Sequence, residues 1–532
     1  MGKPDLRIDN AIVVDGTGGP AFNATVAIDR GIIRLLDQPE PAVRTIDALG
    51  AVLAPGFIDL HTHTDFTLPR FPEASSMVRQ GVTTHLTGNC GFSPFPNPPH
   101  RSTDLAAYSS FIDAGLPWDR WSTAAGYMAY LESLPLATNV ALQVGLGSVR
   151  VATMGFEQRK ATEQEIGAMA GYVAEAFDAG AFGVSSGLVY PPGAYADAAE
   201  VTALVAVASE YGGHYSTHIR NEGAHLIEAV SEAIATADAA GVPLQLSHHK
   251  SLGERYWGSV NQSLALIDEA NGRGLDVTAD QYPYRAGSTG FTQILPGWVL
   301  DGGTEAMQRA IAHPDTRRRI IAALRGADSG TIRDFNPESI LLSEIPEGQN
   351  HQYEGRYLSE VAAHRREDPI DTALGLLRDE GNSILMVVFG MSEADVRTVM
   401  THPSVAIASD GWTLSPKAGG VPHPRSYGTY ARVLGRYVRE EGLLTLEEAI
   451  HKMTGLPARR LPGAGRGIIA DGNIADLVIF DPDTVVANAT FEEPHQFCSG
   501  VSHVLVRGVP VIDDGHETGA TPGAVLKMKR RT

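Results

Sequence analysis

Between residues 57 and 410 the chain alternates short apolar runs with longer segments whose apolar positions recur at helical spacing. Short apolar runs bounded by turn residues mark buried parallel strands, and the longer periodic segments mark the helices that cover them. Eight runs predict strands, at 57–61, 82–87, 140–145, 182–185, 213–218, 243–248, 275–280 and 405–410. Helices are predicted over 161–179, 198–211 and 226–240, the last stopped by Gly241. Eight successive βα units predict an α/β chain built as a (β/α)8 TIM-type barrel. The run Ile384–Phe389 competes as a ninth strand.

Both ends read differently. Residues 6–9, 11–15, 24–29 and 31–34, and later 475–480, 501–506 and 509–513, are short strand-like runs with Gly-, Pro- and Asp-rich turns. Two β-rich ends around a βα middle predict one small β domain that the chain leaves and re-enters, from 1–54 with 466–532, around a barrel at 55–465. From Arg285 to about Glu347 the alternation fails, which predicts an insertion over the barrel mouth.

Composition narrows the classes. The chain has 532 residues, 43% apolar and 20% charged, and carries a net charge of −20. That field repels nucleic acid and anionic membranes, so neither is expected as a partner, and an anionic ligand needs a local positive receptor. The one basic run, Lys527 to Arg531, is expected to be a solvated tail. Two cysteines, no signal-peptide pattern and no apolar run of about eighteen residues predict a reduced, cytoplasmic protein.

The chemistry concentrates at strand ends. In Pro55-Gly-Phe-Ile-Asp-Leu-His61-Thr-His63, alternate strand positions share a face, so the two imidazoles can converge on one ion. Cys90 follows the second predicted strand, His218 ends the fifth, His248 the sixth and Asp410 the eighth. A barrel gathers the C-terminal ends of its strands at one mouth. Six donors of nitrogen, sulfur and oxygen type there suit a one- or two-zinc hydrolytic site. Zinc makes bound water acidic enough to attack near neutral pH.

These stretches, with Gly472-Asn-Ile-Ala-Asp476-Leu-Val-Ile-Phe480 near the C-terminus, resemble the amidohydrolase superfamily over nearly the whole chain. Gly88-Asn-Cys-Gly-Phe-Ser, Thr217-His-Ile-Arg-Asn-Glu-Gly223, Asp280-Gln-Tyr-Pro-Tyr284 and His423-Pro-Arg-Ser-Tyr-Gly-Thr-Tyr430 resemble its N-acyl-D-amino-acid deacylases, the D-aminoacylases. The resemblance implies a terminal β-sandwich and zinc-dependent cleavage of the amide of N-acyl-D-amino acids. It implies a tighter zinc site at Cys90, His218 and His248, and a weaker one at His61, His63 and Asp410 with Cys90 as a possible bridge. A metal-activated hydroxide would attack, with Asp410 as base and then acid. It also places Lys250, Tyr282 and Ser288 around the substrate carboxylate, with Arg425 at the mouth. Many relatives bridge their metals with a carboxylated lysine on the fourth strand. That strand here reads Phe-Gly-Val-Ser-Ser, and a cysteine thiolate could take the lysine's place.

The expected partner is therefore a small anionic N-acyl amino acid. Lys250 should share His248's side of an extended strand, whereas His249 should face away. Arg220 reads equally as a structural ion pair or a substrate contact. Gly183-Val-Ser-Ser-Gly187 matches a nucleophile elbow but continues into Leu-Val-Tyr-Pro-Pro rather than a helix, so no serine nucleophile is expected. His85 reads as core and His402 as a helix-end residue. The alternatives are a cyclic-amide hydrolase of hydantoinase or dihydroorotase type, which the missing lysine disfavours, and a silent scaffold, which the complete donor set disfavours. The oligomeric state is not disclosed by the sequence.

Overall fold

A computed structural model describes residues 3–326 and 335–529. Eight parallel strands lie side by side in chain order: Phe57–Asp59, Val82–Thr87, Asn139–Gly145, Gly183–Gly187, His214–His218, Leu244–Leu246, Val277–Gln281 and Val405–Ile407. A parallel bridge between Thr62 and Gly411 joins the first to the last and closes the barrel. All eight runs read from the sequence are barrel strands, but several stop two or three residues early. The stretches holding His61, His248 and Asp410 are turns beyond the strand ends.

The helices between strands start and stop where local chemistry dictates. Thr162 and Glu165 form a reciprocal cap on Glu163–Ala179, and Gly180 ends it in the left-handed region. Asp197 caps Ala198–Tyr211, and Gly241 terminates Leu226–Ala240. Their buried faces, with Val173, Leu204, Val230 and Ile267 among them, pack on strand residues such as Val144, Val184 and Leu244 in one core.

The run Ile384–Phe389 joins a separate sheet. Leu385–Phe389 lies between Ala286–Gly290 and Ile340–Glu344 in an antiparallel three-stranded sheet outside the barrel. The inserted unit thus reaches from Ala286 to Phe389, further than 285–347, and has its own core around Ile311, Leu342, Leu374 and Met386. Its first strand, Ala-Gly-Ser-Thr-Gly, lacks the apolar alternation that announces a strand. Residues 327–334 of the expected insertion lie outside the described residues.

Nine strands from both ends form a second sheet. Val52–Pro55 pairs with Ile12 and Val13 on one side and antiparallel with Leu477–Phe480 on the other. Beyond that sheet, the stretch expected to be a solvated tail returns to the barrel. Val525 bridges Val140, Leu526 N–H donates to Val140 O, Met528 N–H donates to Gly180 O, and Lys527 Nζ lies 2.7 Å from Glu132. Backbone pairing overrides the basic composition there; Arg530 and Arg531 lie outside the described residues. Among the described residues no helix is long and apolar enough to cross a membrane.

Candidate metal centre and active site

The Cys90 turn is built by its neighbours. A Cβ at Gly88 would lie 2.1 Å from Gln143 O, and one at Gly91 2.7 Å from Gly187 N, so only glycine lets this turn lie flat on the third and fourth strands. Asn89 fixes the turn to the first two strands, donating to the carbonyls of Leu60, Thr62 and Leu86 and accepting from Gln143. Cys90 then sits at φ 55°, and His248 and Asp410 adopt φ 36° and 51°. Three non-glycine residues in the left-handed region at one barrel mouth is the kind of backbone strain that persists where function requires it.

The six residues named as donors are buried and come together. Candidate ligand atoms of Cys90, His218 and His248 lie within 4.8 Å of one another, as do those of His61, His63 and Cys90, and those of His61, His248 and Asp410. Cys90 Sγ is 3.2 Å from His61 Nε2 and 3.5 Å from His248 Nε2. Asp410 Oδ1 is 3.4 Å from His61 Nε2 and 3.3 Å from His63 Nε2. A soft sulfur among imidazoles, with one carboxylate, is a donor set suited to zinc.

Two acidic residues to which the sequence reading gave no role complete the arrangement. Asp280 Oδ1 is 3.1 Å from His61 Nδ1 and accepts the His248 backbone N–H at 2.7 Å. Glu222 Oε1 is 3.1 Å from His248 Nδ1 and 2.5 Å from Lys250 Nζ. His61 and His248 thus each turn one nitrogen to the centre and the other to a carboxylate, the arrangement that orients metal-ligating histidines. The signal was legible: Asp280 lies within a buried strand and Glu222 four residues past His218 in the loop that follows it, and buried carboxylates need partners.

The electrostatics are those of a cation site. Burial pushes the Cys90 thiol up, but His61 and His248 outweigh it and hold the group well below the ordinary thiol range. Burial likewise opposes charge on Asp410, which Arg425 and His61 hold well below the usual carboxylate range. Burial disfavours protonated imidazoles, yet Asp410 and Cys90 raise His63 to about 9, and Glu222 and Cys90 raise His218 to about 9. The anions of the cluster demand positive charge, which a divalent cation supplies in place of protons.

Lys250, Tyr282, Ser288 and Arg425 line the same cavity. The backbone turns at His248, so the extended-strand argument for Lys250 fails. Its ammonium nevertheless returns to the cavity, 2.9 Å from His248 Nδ1. Ser288 Oγ is buried without a partner. Arg425 points at Asp410, with Nη1 2.8 Å from Oδ2, and its guanidinium carbon lies 4.8 Å from the Tyr282 ring centroid. Arg220 lies elsewhere, paired with Glu232 at 2.9 Å and donating to the carbonyls of Ala194 and Ala196, a structural role. Ser185 donates to Gly88 O, His85 pairs with Thr138, His249 with Ser263, and His402 with Asp268.

A model of the amidohydrolase family matches residues 44–512. The chain belongs to the amidohydrolase family. This amidohydrolase is 37% identical over 529 residues to the D-aminoacylase of Alcaligenes xylosoxydans xylosoxydans, across 98% of this chain and 97% of the relative. It is 36% identical to the N-acyl-D-glutamate deacylase of the same organism, across 99% and 97%. Its fold superposes on the crystal structure of N-acyl-D-glutamate deacylase from Bordetella bronchiseptica with a TM-score of 0.84 and 34% identity, covering 99% of this chain and 100% of the other. That enzyme was solved with zinc and a phosphonate inhibitor that mimics the tetrahedral intermediate.

Proposed function

We propose that this amidohydrolase is a zinc-dependent deacylase that cleaves the amide of N-acyl-D-amino acids to a carboxylic acid and a free D-amino acid. The observation that carries the reading is Cys90, positioned between His61 and His248 at the centre of six convergent donors. Cys90, His218 and His248 would hold one zinc ion, and His61, His63 and Asp410 a second, with Cys90 between them. When bound, zinc supplies Lewis acidity to the amide carbonyl and makes water nucleophilic near neutral pH.

The chain's own residues do the rest. Asp410, kept ionised by Arg425, accepts a proton from the attacking water at its carboxylate and returns it to the leaving nitrogen, because an amine departs only once protonated. Lys250, Tyr282 and the unpartnered hydroxyl of Ser288 receive the substrate's α-carboxylate, which supplies the local positive receptor that a chain at −20 requires. Arg425 acts on Asp410 and positions it. Glu222 and Asp280 fix the rings of His248 and His61. The fourth strand, Gly183–Gly187, has no lysine, which leaves the cyclic-amide alternative without its expected bridging group.

Metal analysis combined with assays of paired N-acetyl-D- and N-acetyl-L-amino acids tests the reading. Bound zinc and D-selective release of amino acid are expected. Equal cleavage of both enantiomers, or full activity in zinc-free protein, would defeat it.

A further inference from the structure

Beside the active-site cavity lies a second one, to which no role has been given. The two share four lining residues: Phe92, Phe111, Tyr190 and Gln293. On the far side of these residues the second cavity is walled by Tyr108 and Phe156 and by Leu300 and Met307 from the inserted unit. None of its lining residues is charged. Its polar side chains are those of Tyr108, Tyr190, Thr292, Gln293, Thr304 and Asn382. Asn382 is occupied, donating to the carbonyls of Ala107 and Tyr108 and accepting from Thr292, and Tyr190 Oη pairs with Thr289, while the buried Tyr108 Oη has no partner. An uncharged recess walled chiefly by rings and aliphatic side chains favours apolar occupants.

The rings between the cavities fix which end of a substrate enters. The Phe92 ring centroid lies 6.4 Å from that of His63, and the Tyr190 centroid 5.1 Å from that of His218, so both rings border the donors that face the amide carbonyl. Lys250 and Tyr282, the carboxylate side, do not line the second cavity. With the carbonyl at the donors and the α-carboxylate at Lys250, the group passing Phe92 and Tyr190 is the tail of the acyl group. Phe92, Phe111 and Tyr190 meet edge-to-face or stacked at 5.0–6.4 Å, so these three rings form the wall common to the two cavities.

We infer that the second cavity is an acyl-chain subsite, which makes the enzyme selective for N-acyl-D-amino acids with a medium-length apolar acyl group over N-acetyl ones. This rests on the deacylase reading.

The experiment measures kcat/KM of the zinc-loaded wild type for N-acetyl-, N-butanoyl- and N-octanoyl-D-leucine, and for N-acetyl-D-alanine and N-acetyl-D-phenylalanine. Burying methylenes contributes roughly a threefold to fourfold gain each, so the octanoyl-to-acetyl ratio should exceed about tenfold. Ala107 and Thr304 line the second cavity and not the first, and both are partly exposed, so A107W and T304W fill it from its outer side. Each should lower the octanoyl-to-acetyl ratio at least about tenfold. A wild-type ratio near one, or a ratio that both variants leave unchanged, overturns the inference while N-acetyl-D-amino acid hydrolysis still supports the deacylase reading. If the variants instead depress N-acetyl-D-phenylalanine alone, the cavity takes the amino-acid side chain and the acyl assignment is wrong. A wild type that cleaves none of the series defeats the deacylase reading itself.

Discussion

Arg425 and Asp410 form a buried pair, Nη1 to Oδ2 2.8 Å, in which each is at most 8% exposed. The carboxylate that also faces His61 and His63 is therefore held on three sides by positive or polarised groups. Removing the arginine and removing the carboxylate should have separable effects. Asp410→Asn should abolish turnover while a zinc ion at Cys90, His218 and His248 is retained, and single-turnover assays with metal analysis check both. Substantial residual turnover would remove Asp410 from the proton transfer. Arg425→Ala should leave substrate binding closer to wild type than kcat, and unfold more readily, because a buried charge loses its partner at a cost of about 3–5 kcal/mol.

Glu222 bridges a metal-facing imidazole and the ammonium of Lys250. Glu222→Gln keeps the shape and loses the charge, so zinc affinity should fall about 10- to 100-fold, the usual consequence of losing a carboxylate behind a histidine ligand. Competition with a chromophoric chelator measures this without reference to activity. Unchanged affinity would show that Glu222 serves Lys250 alone.

Lys250→Ala tests the carboxylate receptor. A charge-assisted hydrogen bond contributes roughly 1.5–3 kcal/mol, so KM for an N-acyl-D-amino acid should rise at least about tenfold. The corresponding amide, which lacks the negative charge, should lose much less. Equal losses for acid and amide would place the lysine's role elsewhere.

Two imidazoles away from the centre make the fold acid-sensitive. Burial holds His85 down to about 3, and burial with nearby Arg460 holds His214 to about 3, against 6.5 in the unfolded chain. Folding favours their neutral forms, so their contribution is present above pH 6.5 and is lost as pH falls below it. The slope is at most about 1.4 kcal/mol per pH unit for each. Thermal melts should show His85→Gln and His214→Gln with a shallower fall in Tm between pH 7 and pH 5 than wild type. Parallel curves would mean that neither histidine titrates on unfolding.

The barrel was readable because short strand-like runs alternate with helical segments from Phe57 to Val405, and even the largely polar Gly183–Gly187 and His214–His218 keep that spacing. The donors were readable because strand order, not side-chain contact, brings His61, Cys90, His218, His248 and Asp410 to one mouth. Turn geometry escaped: the left-handed residues at 90, 248 and 410 are not glycine, and nothing in their spelling announces that conformation. The sheet of the inserted unit escaped for a related reason, since Ala286–Gly290 is held by its partner strand rather than by its own propensity. The Lys527 stretch escaped because charge suggests solvent, while its backbone hydrogen bonds, invisible in composition, tie it to Val140 and Gly180.

The pairing of Val52–Pro55 with both Ile12–Val13 and Leu477–Phe480 has a consequence during synthesis. Until more than four hundred intervening residues have left the ribosome, one edge of that nascent ribbon stays open, and an unpaired edge invites other chains. Fragments cut anywhere before Leu477 should accordingly need a chaperone or accumulate as inclusion bodies, even when they contain the whole barrel.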